Sequence, residues 1–386
     1  MSMSVIRGDK MTNIMDYLKW RGDIIISDVS PFNEVDSVIL ARLAYLSFHE
    51  IEMDKIETIE SIANKMKDLD ISLFRYKKDK DFIINLGNSE RFKNMKITNY
   101  TENNEKENEK QFSAITIHTE KNEMYVSFIG TTASIYGWKE DFNMAFLDSV
   151  PCQIEGMKYL AKVAQEYQNK KIRVGGHSKG GNVAIYSALT NPSLQNRIIK
   201  VYNFDGPGFH KKFIEKYGKI PILEKIESYF PQDSIIGRIM NHKEKYSIVE
   251  SNEKGIRQHN LYSWKVMGSY LINSKKLTDA SEIMNKTVTN WLEETTSEQR
   301  KIFIDSVFEL FYATDENTFL EISSHLSKNL SIILKKYNEI TDEDKKIISD
   351  MMKLFMKSYF SEVLVQERQK YITRMKQLTK KEVAKV

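Results

Sequence analysis

"KIRVGGHSKGGNVAIYSALT" (residues 171–190) joins a β-branched run to a helix-compatible run through four glycines and a serine. Its centre, Gly176-His177-Ser178-Lys179-Gly180, fits the pattern G-x-S-x-G. Where a strand turns sharply into a helix, the central residue takes a strained conformation, and small neighbours let strand and helix approach. The turn also places the serine oxygen at the start of a helix, where the dipole favours developing negative charge. A phosphate-binding loop would need G-K-[ST] at this point, and the sequence does not supply it. Ser178 is therefore read as a nucleophile.

The flanking sequence has the alternation that such a turn requires. A helix is predicted from 153 to about 169, strands at 171–176 and 198–204, a helix at 180–190 and a strand in "KIESYF" (225–230). Strands alternating with helices predict an α/β fold with a mostly parallel sheet covered on both faces. Ligands of such sheets collect beyond the carboxyl ends of the strands. Upstream, "FSAITIHT" (112–119) and "MYVSFIG" (124–130) read as strands around "EKNE", and "NEVDSVILARLAYLSF" as a helix capped by Asn33. The charged run "TENNEKENEK" (101–110) reads as an exposed hairpin loop.

Past about residue 272 the pattern becomes helical. Thr296 and Gln299 stand in capping-box spacing, and Ile347, Met351, Phe355 and Tyr359 form one apolar stripe behind Thr341. The expected division is a flexible leader at 1–10, an α/β domain at 11–272, and a C-terminal helical region at 273–386 with a basic tail. That tail, "QERQKYITRMKQLTKKEVAKV", could meet an anionic membrane surface peripherally.

Composition narrows the function classes. Lysine plus arginine number 57 against 53 acidic residues, too weak an excess, and too dispersed, to predict a nucleic-acid partner. Cys152 is the single cysteine, so an intramolecular disulfide and a thiol-based metal site are both excluded. This usage, an N-terminus without an apolar signal core and the lack of any membrane-length apolar run together predict a cytoplasmic protein. No group of residues has metal-ligand spacing, and no cofactor is expected.

A nucleophilic serine needs a base and an acid, both later in the chain for this kind of turn. Of the seven histidines, His259 in "GIRQHNLYSW" lies late, in a polar loop past the last clear strand, and is the expected base. Two aspartates compete for the acid. Asp205 ends a strand in "VYNFDGPGF" and Asp233 follows the next in "SYFPQDSIIG". The residues alone leave both open. Oxyanion donors are expected from the Lys179 N–H and from Thr131, through its N–H and its hydroxyl, at the end of "VSFIGTT".

"FIGTTASIYGWKEDF", "GGHSKGGNVA", "NFDGPGF", "PQDSIIG" and "QHNLYSW" stand in the order found in class 3 (fungal-type) lipases. The whole chain, including "DYLKWRGD" near the N-terminus and the helical C-terminus, resembles a bacterial family of α/β-hydrolases related to those lipases. The resemblance implies an α/β-hydrolase fold with a C-terminal helical appendage, Ser178 as nucleophile, His259 as base and Thr131 at the oxyanion position. It favours Asp233 over Asp205 as the acid. Lys179 departs from the family pattern, which has an apolar residue there, and the stretch after Trp138 is too short for an obvious lid. The expected function is therefore a serine hydrolase of carboxylic esters acting on a small-molecule or lipid ester. A thioesterase or lysophospholipase-like activity, or an inert scaffold using its helical region, are the alternatives.

Overall fold

A computed structural model of the chain describes residues 13–383. Eight strands form one sheet in unbroken chain order: β1 (Ile56–Thr58), β2 (Lys96–Glu105), β3 (Lys110–Glu120), β4 (Glu123–Phe128), β5 (Lys171–His177), β6 (Ile198–Phe204), β7 (Ile226–Pro231) and β8 (Lys245–Val249). The β1–β4 pairings are antiparallel and those from β4 to β8 parallel. The run 101–110 is mostly strand: residues 101–105 pair with β3 and only 106–109 turn. Charge misled the reading there, because an ion pair between Lys110 and Glu105 (2.5 Å) lets a polar ladder close the hairpin.

Alternation along β4 shows how the sheet separates two cores. Tyr125 faces a core built with α1 (Ile14–Arg21), α2 (Glu34–Leu43), α3 (Ile59–Met66) and α4 (Lys78–Gly87). Met124, Val126 and Phe128 face a second core, covered by residues that follow α5 (Ile135–Asn143) and by α6 (Pro151–Glu166), α7 (Lys179–Thr190) and α8 (Lys211–Tyr217). This is the α/β-hydrolase architecture expected from the sequence.

The C-terminal helices are α9 (Asp279–Glu294), α10 (Ser297–Tyr312), α11 (Phe319–Ser324), α12 (Leu326–Glu339) and α13 (Asp342–Val383). Thr296 and Gln299 form the capping box of α10. Ile304 and Phe308 of α10 share a third core with Ile135 of α5 and Ile322 of α11, so the region is packed onto the sheet domain. The indole Nε1 of Trp291 donates to the Met351 carbonyl (3.1 Å) and ties α9 to α13. The leader at 1–10 lies outside the described residues; the tail continues α13 as far as Val383, and residues 384–386 also lie outside. No helix among the described residues is long and apolar enough to cross a membrane.

Candidate active site

Ser178 stands between the carboxyl end of β5 and the first residue of α7, with φ 58° and ψ −135°. A non-glycine residue in that region costs about 1–3 kcal/mol, which only a tightly fixed surround sustains. The surround is tight. A Cβ on Gly176 would lie 2.4 Å from the Gly180 carbonyl carbon, and one on Gly180 would lie 2.2 Å from the Phe128 carbonyl oxygen. The Ser178 N–H is held by the Phe204 carbonyl (2.9 Å). Serine before a helix usually caps it, yet the Ser178 hydroxyl makes no capping bond. Its oxygen is left for other use.

Nδ1 of His259 lies 2.6 Å from Oδ2 of Asp205, which corrects the preference for Asp233. Asp205 follows β6 with φ 53° and is buried; its Oδ1 accepts from the Ser234 hydroxyl at 2.5 Å. The "DGPG" turn behind it is fixed by Asn182, which donates to the carbonyls of Pro207 (3.1 Å) and Gly208 (2.9 Å). Asp233 instead clamps the loop that carries the histidine. It accepts the Gly255 N–H (2.7 Å) and the Gln258 amide (3.0 Å), while its own N–H donates to Gln258 (2.9 Å). Both aspartates lie beyond strand ends, and the distinction is how far each side chain reaches.

Three further groups hold His259, and sequence reasoning did not single them out. Trp264, fully buried, donates to the Gln258 carbonyl (2.8 Å). Nε2 of His177 lies 2.7 Å from the His259 carbonyl, and the two imidazoles are 4.3 Å apart. Tyr45 completes the set, its hydroxyl 3.1 Å from Nδ1 of His177 and accepting the Gly130 N–H at 2.9 Å. Burial drives the His177 pKa well below the ordinary imidazole value, so this ring is neutral and donates through Nε2. The one signal in sequence was the histidine inside "GGHSKGG".

Thr131 lines the same cavity as Ser178, but its hydroxyl donates to Oδ2 of Asp141 (2.5 Å). That corrects the expectation that both the N–H and the hydroxyl would face an oxyanion. The amides on either side are taken, Gly130 by Tyr45 and Thr132 by Gln111 (2.8 Å), whereas no acceptor among the described residues takes the Thr131 N–H. Lys179, as first residue of α7, has an N–H with no partner inside the helix.

The Lys179 ammonium does not reach the cavity as a free charge. Nζ lies 2.6 Å from Oε2 of Glu140 and 3.7 Å from Oδ1 of Asp141, with both Lys179 and Glu140 almost wholly buried. Glu140 also accepts the N–H groups of Gln111 (3.0 Å) and Cys152 (2.8 Å). Burial opposes the ammonium, but the acidic groups around it hold the Lys179 pKa above its ordinary value. Burial pushes the Asp141 carboxyl up to about 6.

Ser178 and His259 line one cavity of about 390 Å³, within the roughly 300–1,000 Å³ of small-molecule sites. Much of its lining is apolar and comes from the C-terminal helices: Trp291 and Leu292 of α9, Phe303 of α10, and Met351, Met352 and Phe355 of α13. A wider hollow of about 550 Å³ near Lys96, His118 and Lys170 contains no serine–histidine pair. Among the described residues no group of histidine, cysteine and acidic side chains is arranged to hold a metal.

A family model described as Mbeg1-like matches residues 86–309. The chain is similar in structure to a mutant form of MDLA from Penicillium cyclopium (14% identity, 67% of this chain and 91% of that one, TM-score 0.38). It is similar to a fungal lipase in complex with an inhibitor (12%, 63% and 82%, TM-score 0.37). A third likeness is to the Lip2 lipase of Yarrowia lipolytica (13%, 48% and 73%, TM-score 0.32). No curated protein matches the chain.

Proposed function

The chain belongs to the Mbeg1-like family, a lipase-related group of α/β-hydrolases, and on that premise we propose that it is a serine hydrolase of carboxylic esters. The observation that carries the reading is the buried Asp205 on Nδ1 of His259, with His259 and the uncapped Ser178 lining the same cavity. With Nδ1 donating to the carboxylate, Nε2 is the nitrogen free to take a proton.

Ser178 Oγ attacks the ester carbonyl carbon as its proton passes to Nε2 of His259. The N–H groups of Thr131 and Lys179 receive the oxyanion; a donor of this kind is worth about 10²–10³ in rate. The ester C–O bond breaks, and the departing alkoxide takes the proton from His259. Water then adds to the acyl carbon and gives a proton to Nε2; the bond to Oγ breaks and that proton returns to the serine. Asp205 keeps the ring in the correct tautomer and stabilises the imidazolium. The apolar wall formed by the C-terminal helices suits the acyl side of the substrate.

Labelling with a fluorophosphonate probe tests the reading. Wild-type protein is expected to label and Ser178→Ala to remain blank. Equal labelling of the two, or none of a folded wild type, would remove the hydrolase assignment.

A further inference from the structure

The cavity has one charged side chain at its opening that the protein leaves without a counter-charge. Among the ionisable groups lining it, Lys179 pairs with Glu140, Asp141 accepts the Thr131 hydroxyl, and His259 donates to Asp205. Arg75 is the exception. Nη1 donates to the Thr131 carbonyl (3.0 Å), and the guanidinium lies over the rings of Tyr45 (5.1 Å) and Tyr76 (5.7 Å). It forms no ion pair among the described residues. Arg75 is exposed while lining the cavity, so it stands at the rim, beside the residue expected to hold the oxyanion. Lys78 adds a second cation nearby, its Nζ over the ring of Tyr262 in the His259 loop (6.0 Å).

An ester bound at Ser178 has two ends, and the cavity treats them differently. The C-terminal helices line it with Trp291, Phe303 and Phe355, apolar side chains that suit a hydrocarbon chain. The leaving alcohol is the polar end, and it suits the rim, where a guanidinium offers donors beyond the one given to Thr131. Its planar fork matches phosphate oxygens with two parallel bonds. Resting on the serine-hydrolase reading, we propose that the substrate is a single-chain acyl ester whose alcohol carries a phosphate close to the ester, and that Arg75 reads that phosphate.

The test compares kcat/KM for octanoylglycerol with that for octanoylglycerol phosphate, a pair differing in the phosphate alone, with octanoyl-coenzyme A as a third arm whose phosphates lie far from the acyl bond. Wild type is expected to favour the glycerol phosphate ester over the other two by about 10- to 100-fold, the value of a hydrogen bond to a charged group. In Arg75→Gln the ratio of the two glycerol esters falls to about one, and Arg75→Lys recovers part of it. A wild type without preference, a preference for the coenzyme A ester, or an Arg75→Gln variant that loses the same factor on both glycerol esters overturns the proposal; the last would mean that Arg75 only supports Thr131. Fluorophosphonate labelling at Ser178 with no turnover of either glycerol ester also overturns it while leaving the hydrolase reading intact. Loss of the labelling itself overturns both.

Discussion

Asp205 reaches across 54 residues of chain to place Oδ2 2.6 Å from Nδ1 of His259, while Asp233, 25 residues from Gln258, is held by the loop around it. Asp205→Asn would leave an amide that stabilises the wrong tautomer of the ring. A fall in kcat of about 10⁴ is expected on a p-nitrophenyl ester. Asp233→Asn perturbs only the anchoring of the loop, and its loss should be smaller by at least about 10². Comparable losses in the two variants would return the acid role to an open question.

Lys179 and Glu140 give a stability prediction. Lys179→Met strands the Glu140 carboxylate in the interior, at a cost of about 3–5 kcal/mol. Adding Glu140→Gln removes the stranded charge and is expected to recover most of the loss. Urea denaturation of the two proteins measures the difference. A double variant no more stable than the single would show that packing, not charge, sets the effect.

Asp141 makes stability depend on pH. Its carboxyl is raised by burial from the ordinary 3.8 to about 6, so the folded state holds that proton more tightly than the unfolded chain. The resulting contribution is complete below about 3.8 and is lost as pH rises through about 6. Between pH 5 and pH 8 the wild type should therefore lose about 1 kcal/mol relative to Asp141→Asn. Parallel stability profiles for the two proteins would contradict the shift.

Val288, on α9, lines the cavity and gives a chain-length prediction. Val288→Trp reduces the cavity volume, which is expected to exclude a longer acyl chain before a shorter one. Hydrolysis of a dodecanoyl p-nitrophenyl ester is expected to fall by about tenfold or more relative to the butyryl ester, since one misplaced group in a pocket is worth about 1–3 kcal/mol. Equal losses on both esters would place the acyl chain elsewhere.

The parts of the site legible in sequence were those fixed by local geometry. The strand, the glycines and Ser178 are contiguous, so the elbow could be read from one short run; His259 followed from its late loop. The choice between Asp205 and Asp233 was not local, because both end adjacent strands. In the structure the two side chains are set apart by the Asn182 hold on the "DGPG" turn and by the Gln258 clamp on Asp233, contacts that join separate loops. Lys179 looked like an awkward charge beside the nucleophile because its partner, Glu140, belongs to a different helix. The stripe of Met351 and Phe355 was legible as an apolar face of α13, but periodicity says which residues share a face and not what that face covers.

The position of the cavity wall has a consequence for biosynthesis. The elbow belongs to β5 and α7, yet Met351 and Phe355, which line the same cavity, are made long afterwards. At roughly 5–20 residues per second, a ribosome holds the chain for on the order of ten seconds or more with Ser178 already translated and α13 still missing. During that interval the side of the cavity that α13 builds is missing, so Ser178 lacks that cover. The α13 side of the cavity is thus among the last parts of the candidate site to be made.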